Sequence, residues 1–121
     1  MTALVWVGVL LAGGLGAVLR FLVDGAVNRV VRTGLPAGTL VVNVSGALVL
    51  GLLDGVVLPS ELALLVGTGL VGSYTTFSTW MFETQRLVEE RQAARALQNL
   101  VVSVAVGLAA AWLGLWLGGL A

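Results

Sequence analysis

Residues 67–83 read Gly-Thr-Gly-Leu-Val-Gly-Ser-Tyr-Thr-Thr-Phe-Ser-Thr-Trp-Met-Phe-Glu, inside an apolar segment, 62–82, that is long enough to cross a bilayer. At its middle sit Gly72, Ser73, Thr75, Thr76, Ser78 and Thr79. Glycine loses the most backbone entropy in a helix, and short hydroxyl side chains compete for main-chain groups. Lipid tolerates irregular backbone only where protein or a water-filled path satisfies the freed N–H and C=O groups. The stretch therefore predicts a membrane helix that breaks at its centre, with polar groups aimed at a partner, an ion or a pore. The plainer alternative is a continuous helix whose hydroxyls bond back to the preceding turn.

The remaining composition agrees with a membrane setting. The 121 residues are 59% hydrophobic with a mean hydropathy of +1.07, and only 10% are charged. A soluble domain carries roughly a quarter charged residues. The chain is thus expected to be an all-α integral membrane protein. It has no Cys, which excludes disulfides and thiolate metal sites, and no His, the commonest general base and metal ligand. A net charge of zero from six Arg and six acidic residues gives no footprint for nucleic acid. The N-terminal apolar run lacks a basic leader and is too long for a signal peptide, so it reads as a retained first span.

Four spans follow, at about 2–23, 38–57, 62–83 and 96–120, in a single membrane domain over 1–121. In the first, Gly8, Ala12 and Gly16 recur every four residues, as do Gly13 and Ala17, a spacing that lets helix backbones approach. Arg20 near its end either snorkels to the interface or lends positive potential to an anion path. The loop 24–36 is expected to continue helical in its first half. The second span opens Pro36-Ala37-Gly38-Thr39, a helix-start signature. Thr39 and Asn43 then share a face at i, i+4. An amide in lipid needs partners, so Asn43 is either structural glue or a functional donor. Ala47, Gly51 and Gly55 make another small-residue face. In the third span Phe77 and Trp80 lie on one face after the break. Glu83 and Arg86 form a solvated i, i+3 pair worth little. In the fourth, Asn99, Ser103 and Gly107 form a stripe, and Trp112 and Trp116 suit an interface.

No nucleophile–base pair, paired carboxylate within a span or phosphate loop is present, so an enzyme is not expected. The polar groups at membrane depth are neutral: Thr39, Asn43, the hydroxyls of the third span, Asn99 and Ser103. A proton-coupled antiporter would need an intramembrane carboxylate. A small multidrug-type transporter, also four short spans, would want a Glu in the first span, and none is there.

Three segments resemble one family, the Fluc/CrcB fluoride channels. Residues 13–20, Gly-Gly-Leu-Gly-Ala-Val-Leu-Arg, look like its first-span motif. Residues 38–46, Gly-Thr-Leu-Val-Val-Asn-Val-Ser-Gly, look like its Gly-Thr-Leu…Asn…Gly motif. Residues 69–79, Gly-Leu-Val-Gly-Ser-Tyr-Thr-Thr-Phe-Ser-Thr, look like its third-span break and are the most specific of the three. The resemblance implies four transmembrane helices with the third broken mid-membrane, paired as an antiparallel (dual-topology) dimer with two pores at the subunit boundary. It implies a structural sodium ion at the dimer axis, held by main-chain carbonyls that fall by motif position on Gly72 and Thr75. Asn43 then matches a pore amide and Phe77 the first of two pore phenylalanines. Ser78 and Thr79, with Ser103, match a polar track; Thr39 and Arg20 join the candidate path. The implied function is passive, fluoride-selective export across the cell inner or plasma membrane.

The chain departs from that pattern where Trp80 replaces the second pore phenylalanine, where Asn99 replaces a Tyr carried by some members, and where Ser73 replaces a frequent Gly. A Trp edge still has positive character and adds an N–H donor. All six Arg (20, 29, 32, 86, 91, 95) fall on or toward the side of the two longer loops, and none on the side of the termini. That bias predicts a fixed insertion with the termini outside. The second subunit is therefore expected to be a paralogue in a heterodimer or else a second copy, and a non-conducting or half-active partner role is the alternative reading.

Overall fold

A computed structural model describes residues 2–120. They are all-helical, with no strand among the described residues: α1 (Ala3–Val30), α2 (Ala37–Gly55), α3 (Ser60–Ala63), a π-helical segment (Leu64–Val71), α4 (Gly72–Tyr74), α5 (Ser78–Glu89) and α6 (Ala93–Gly119). Three helices, α1, α2 and α6, are each long and apolar enough to cross a membrane unaided. The third passage is assembled from α3, the π segment, α4 and α5 and has no single helix of that length.

α1 starts where the Thr2 hydroxyl accepts the Val5 N–H, an N-cap. Its 28 residues make a rod of about 42 Å at the α-helical rise, longer than the hydrocarbon layer. The helical first half expected for the loop is thus continuous with the span, and the connection to α2 shrinks to residues 31–36. Asp24 and Asn28 explain both facts. Asn28 Nδ2 donates to Asp24 Oδ1 along α1 (3.2 Å), and Asn28 Oδ1 accepts the Gly38 N–H (2.9 Å). Pro36 supplies no side-chain cap, so an orphan donor of α2 is met by the preceding helix. A Cβ at Gly38 would collide with Asp24, which fixes glycine there.

Small residues set the packing. α2 and α6 run parallel with main chains nearly touching. Cβ atoms added at Gly51 or Gly55 would strike Ala111 or Leu115, and Cβ atoms added at Gly114 or Gly118 would strike Leu48 or Leu52. α1 lies parallel to the third passage: a Cβ at Gly8 would meet Leu65, at Gly13 Ser73 Oγ, and at Gly16 the Leu70 carbonyl. Without a hydrophobic drive between helices in lipid, such close approach is how dispersion is gained. Gly107, by contrast, faces open space. The Asn99–Ser103–Gly107 stripe is therefore not one interface; Asn99 is buried and the rest is not.

Very little side chain is enclosed within one chain. Val42 is fully buried, while Leu4, Leu10, Phe21 and Leu108 remain largely exposed. A surface this apolar suits lipid or a protein partner, not water.

The loop from α5 to α6 closes by a Schellman motif. Arg91 N–H bonds the Val88 carbonyl and Gln92 N–H the Leu87 carbonyl. Arg91 sits at φ 60°, the only positive φ among the described non-glycine residues, and no described glycine has a positive φ. Glycines are used here for closeness, not for left-handed backbone.

Candidate functional site

The third passage does unwind, but later than its glycines suggest. Gly72 and Ser73 are helical, Gly72 at φ −59° and ψ −36°. Thr75 is the first extended residue, at φ −81° and ψ 159°, and helix resumes at Ser78. The break at 75–77 is preceded by eight π-helical residues, Leu64–Val71. The wider i→i+5 turn is a costly geometry that clusters at functional sites. Gly69 relieves its crowding against α1, since a Cβ there would stand 3.1 Å from the Ala12 Cβ, whereas Gly67 has open space around it.

Asn43 holds the break open from α2. Its Nδ2 donates to the Thr76 carbonyl and its Oδ1 accepts the Thr76 N–H, both at 2.8 Å. This is the glue role left open by the sequence; the amide's second N–H stays free of that clamp. Nearby, Thr75 Oγ1 donates back to the Val71 carbonyl (3.1 Å), and Thr76 Oγ1 accepts the Thr79 N–H (3.2 Å), capping α5 in place of Phe77. Back-bonding and breakage thus coexist. They are not alternatives.

These bonds have a consequence for the main chain. In an unbroken helix the Gly72 carbonyl would take the Thr76 N–H and the Thr75 carbonyl the Thr79 N–H. Asn43 captures the first donor and Thr76 Oγ1 the second. Gly72 and Thr75, the positions that the family motif assigns to a cation, are therefore left with carbonyls stripped of their helical partners. Both border an open cavity of about 370 Å³, along with Asn43, Phe77 and Trp80. Carbonyl oxygens are the donors a hard cation takes, so the residues present fit such an ion.

A second cavity of about 190 Å³ lies on the other side of the break, lined by Arg20, Phe21, Asp24, Thr39, Thr76 and Thr79 with Ala17 and Val42. Thr76 borders both cavities. The structure thus brings Arg20, Thr39 and Thr79 together and places Asn43, Phe77 and Trp80 across the break from them. Phe77 is 70% exposed and meets Trp80 edge-to-face, with centroids 5.8 Å apart and ring planes at 81°. Ser78 is exposed, its hydroxyl 3.4 Å from Thr76 Oγ1. Ser103 borders neither cavity.

Sequence reasoning missed the parts played by Asp24, Tyr74 and Glu83, and it placed Thr76 at the break without identifying it as the partner of Asn43. Glu83 is not the solvated partner of Arg86. It is half-buried beside Thr39, and its Oε1 is enclosed with no hydrogen-bond partner among the described residues. Its i+4 spacing from Thr79 was the available signal. Tyr74 Oη pairs with Ser45 Oγ at 2.9 Å, joining α4 to α2; nothing in the local pattern marked that contact. The Trp80 indole N–H, which the sequence offered as an added donor, is committed to the Asn99 carbonyl of α6 at 3.3 Å.

Residues 7–115 match the family described as CrcB-like protein, Camphor Resistance (CrcB). Over 113 residues the chain is 64% identical to a protein of Mycolicibacterium paratuberculosis named fluoride-specific ion channel FluC 2, covering 93% of each. It is 60% identical over 117 residues to the protein of that name from Mycobacterium tuberculosis, covering 97% of this chain and 93% of the other. It is 46% identical to the fluoride-specific ion channel FluC 1 of Leifsonia xyli, covering 100% of this chain and 91% of the other.

Proposed function

This chain belongs to the CrcB-like family, and from that premise we propose that it is a fluoride channel subunit, not an enzyme, that lets fluoride leave the cell passively. One observation carries the reading: relatives 60–64% identical along nearly the whole chain are named fluoride-specific ion channels.

The geometry suits that chemistry. Fluoride is small and strongly hydrated, and shedding water requires compact donors in its place. Hydroxyls of Thr39 and Thr79, the remaining amide N–H of Asn43 and the guanidinium of Arg20 border the two cavities. Ser78 extends that supply beyond the break. Aromatic C–H edges carry positive character and accept an anion where no water can follow, which is the role assigned to Phe77 and Trp80. Ser103 belongs to the path only if a second subunit brings it there.

The unpartnered Gly72 and Thr75 carbonyls support a sodium ion at a dimer axis. Bound there, it would satisfy the freed oxygens and add positive charge to the broken passage. The chain's own part is Asn43, which withdraws the Thr76 N–H and leaves the Gly72 oxygen available. A second subunit facing the groove antiparallel would close it. The one-sided distribution of Arg favours a fixed orientation and hence a paralogous partner over a second copy. The relatives' numbering as FluC 1 and FluC 2 is in keeping with that.

Fluoride efflux from liposomes tests the proposal. The chain reconstituted with its partner should release fluoride and retain chloride, and Phe77→Ile should abolish nearly all of that flux. Undiminished flux in the variant would remove Phe77 from the pore; no flux in any pairing would favour an assembly-only subunit. Reporters at each terminus test the orientation. Equal labelling on both sides of the membrane would remove the case for a heterodimer.

A further inference from the structure

Trp80, Asn99 and Thr84 form a closed cycle of hydrogen bonds between α5 and α6. The Trp80 indole N–H donates to the Asn99 carbonyl (3.3 Å), Asn99 Nδ2 donates to Thr84 Oγ1 (2.9 Å), and the Thr84 hydroxyl donates to the Trp80 carbonyl (2.8 Å). Asn99 and Thr84 are almost entirely buried, at 3% and 7% exposure. A buried amide in lipid needs a partner, and here the partner sits one turn beyond the indole that binds the same residue's main chain. Each residue of the cycle therefore fixes the next.

We propose that Asn99 is a positioning residue for the aromatic pair at the break: through Thr84 it sets the register of α5 on α6, so that Trp80 spends its N–H on α6 and presents only carbon-bound hydrogen to Phe77 and the groove. The inference rests on the channel reading for its consequence and on the hydrogen bonds alone for its geometry. It explains how a ring carrying an extra polar group is accommodated beside Phe77. The indole N–H would otherwise be a strong donor next to the groove, where it could hold an anion instead of passing it. Anchored to the Asn99 carbonyl, it is withdrawn, and the edge-to-face contact at 5.8 Å is held from the α6 side.

The test reads the indole proton and the flux separately. The assembled protein is labelled with ¹⁵N in nanodiscs. The Trp80 indole resonance is assigned by its disappearance in Trp80→Phe. Asn99→Leu keeps the backbone carbonyl but removes the amide. It should move the Trp80 resonance and speed its exchange with solvent threefold to tenfold, roughly the worth of one interhelical hydrogen bond, with the signals of Trp6, Trp112 and Trp116 in place. Thr84→Val, which removes the acceptor from the other side, should do the same and serves if Asn99→Leu fails to assemble. A Trp80 resonance unmoved in these variants overturns the proposal. In liposomes, Asn99→Leu should slow fluoride efflux several-fold in the Trp80 protein and add no further slowing in Trp80→Phe; equal slowing in both backgrounds also overturns it. A wild-type assembly that passes no fluoride defeats the channel reading, and the resonances still decide the cycle.

Discussion

The α2–α6 seam and the broken third passage are both built from small residues, and they use them for opposite ends. Along the seam, Gly51, Gly55, Gly114 and Gly118 let two unbroken helices press main chain against main chain. Every backbone bond there stays inside its own helix, and the gain is dispersion. At the break, glycines loosen the approach to a short run where backbone bonds leave the helix and side chains take them over. Asn43 takes Thr76, and Thr76 takes Thr79. A stretch of small residues in lipid is therefore ambiguous by itself. What separates a packing seam from a broken passage is the presence of amide and hydroxyl groups able to receive the main-chain bonds that a break releases.

Substitutions sharpen that contrast. The largest effect is expected at the seam. Gly114→Val would drive a side chain into the Leu48 main chain and should cost about 3 kcal/mol or more, seen as loss of assembled protein on size exclusion. A fully assembled variant would mean the seam is loose. Asn43→Ala should cost about 2–3 kcal/mol, since it removes two main-chain bonds and leaves the Thr76 groups bare. It should lower the melting temperature in detergent as well as fluoride flux. Intact stability with lost flux would return Asn43 to a purely conducting role. Replacing sodium by N-methylglucamine should lower thermal stability by less, and Asn43→Ala should weaken that dependence because the break that presents the Gly72 carbonyl is no longer held from α2. Sodium-independent melting of the wild type would count against a cation at the freed oxygens. The smallest effect is expected far from both regions. Arg91→Gly should raise stability by about 1 kcal/mol, because a left-handed conformation costs a side-chain-bearing residue that much; a lower melting temperature would contradict the loop geometry.

Much of the fold was legible in the sequence. Residues 37–55 and 93–119 are apolar enough, the former also bounded by Pro36 and Pro59, that their helices could be placed within a few residues. The first span and the helix expected over the first half of the 24–36 loop form one rod, and Asp24 is no boundary between them. Its carboxylate is instead an i, i+4 partner of Asn28, which a local reading treats as loop polarity. At the site, the hydroxyl run announced a break but not its position. Helix geometry at Gly72 and Ser73 and extension at Thr75 depend on which N–H groups Asn43 reaches, and Asn43 lies 33 residues from Thr76 in the chain.

Sequence alone determined that this chain belongs in lipid, that its helices are joined by short connections, and that one passage carries more polar groups than a plain helix can use. Those are properties of composition and local spacing, which need no knowledge of neighbours. Only the tertiary structure decided which carbonyls are released, that the Trp80 N–H is withdrawn to α6, and that Glu83 faces inward beside Thr39. Each of these turns on a donor or acceptor supplied by a distant residue, and in a medium without water a distant residue is the only source of one.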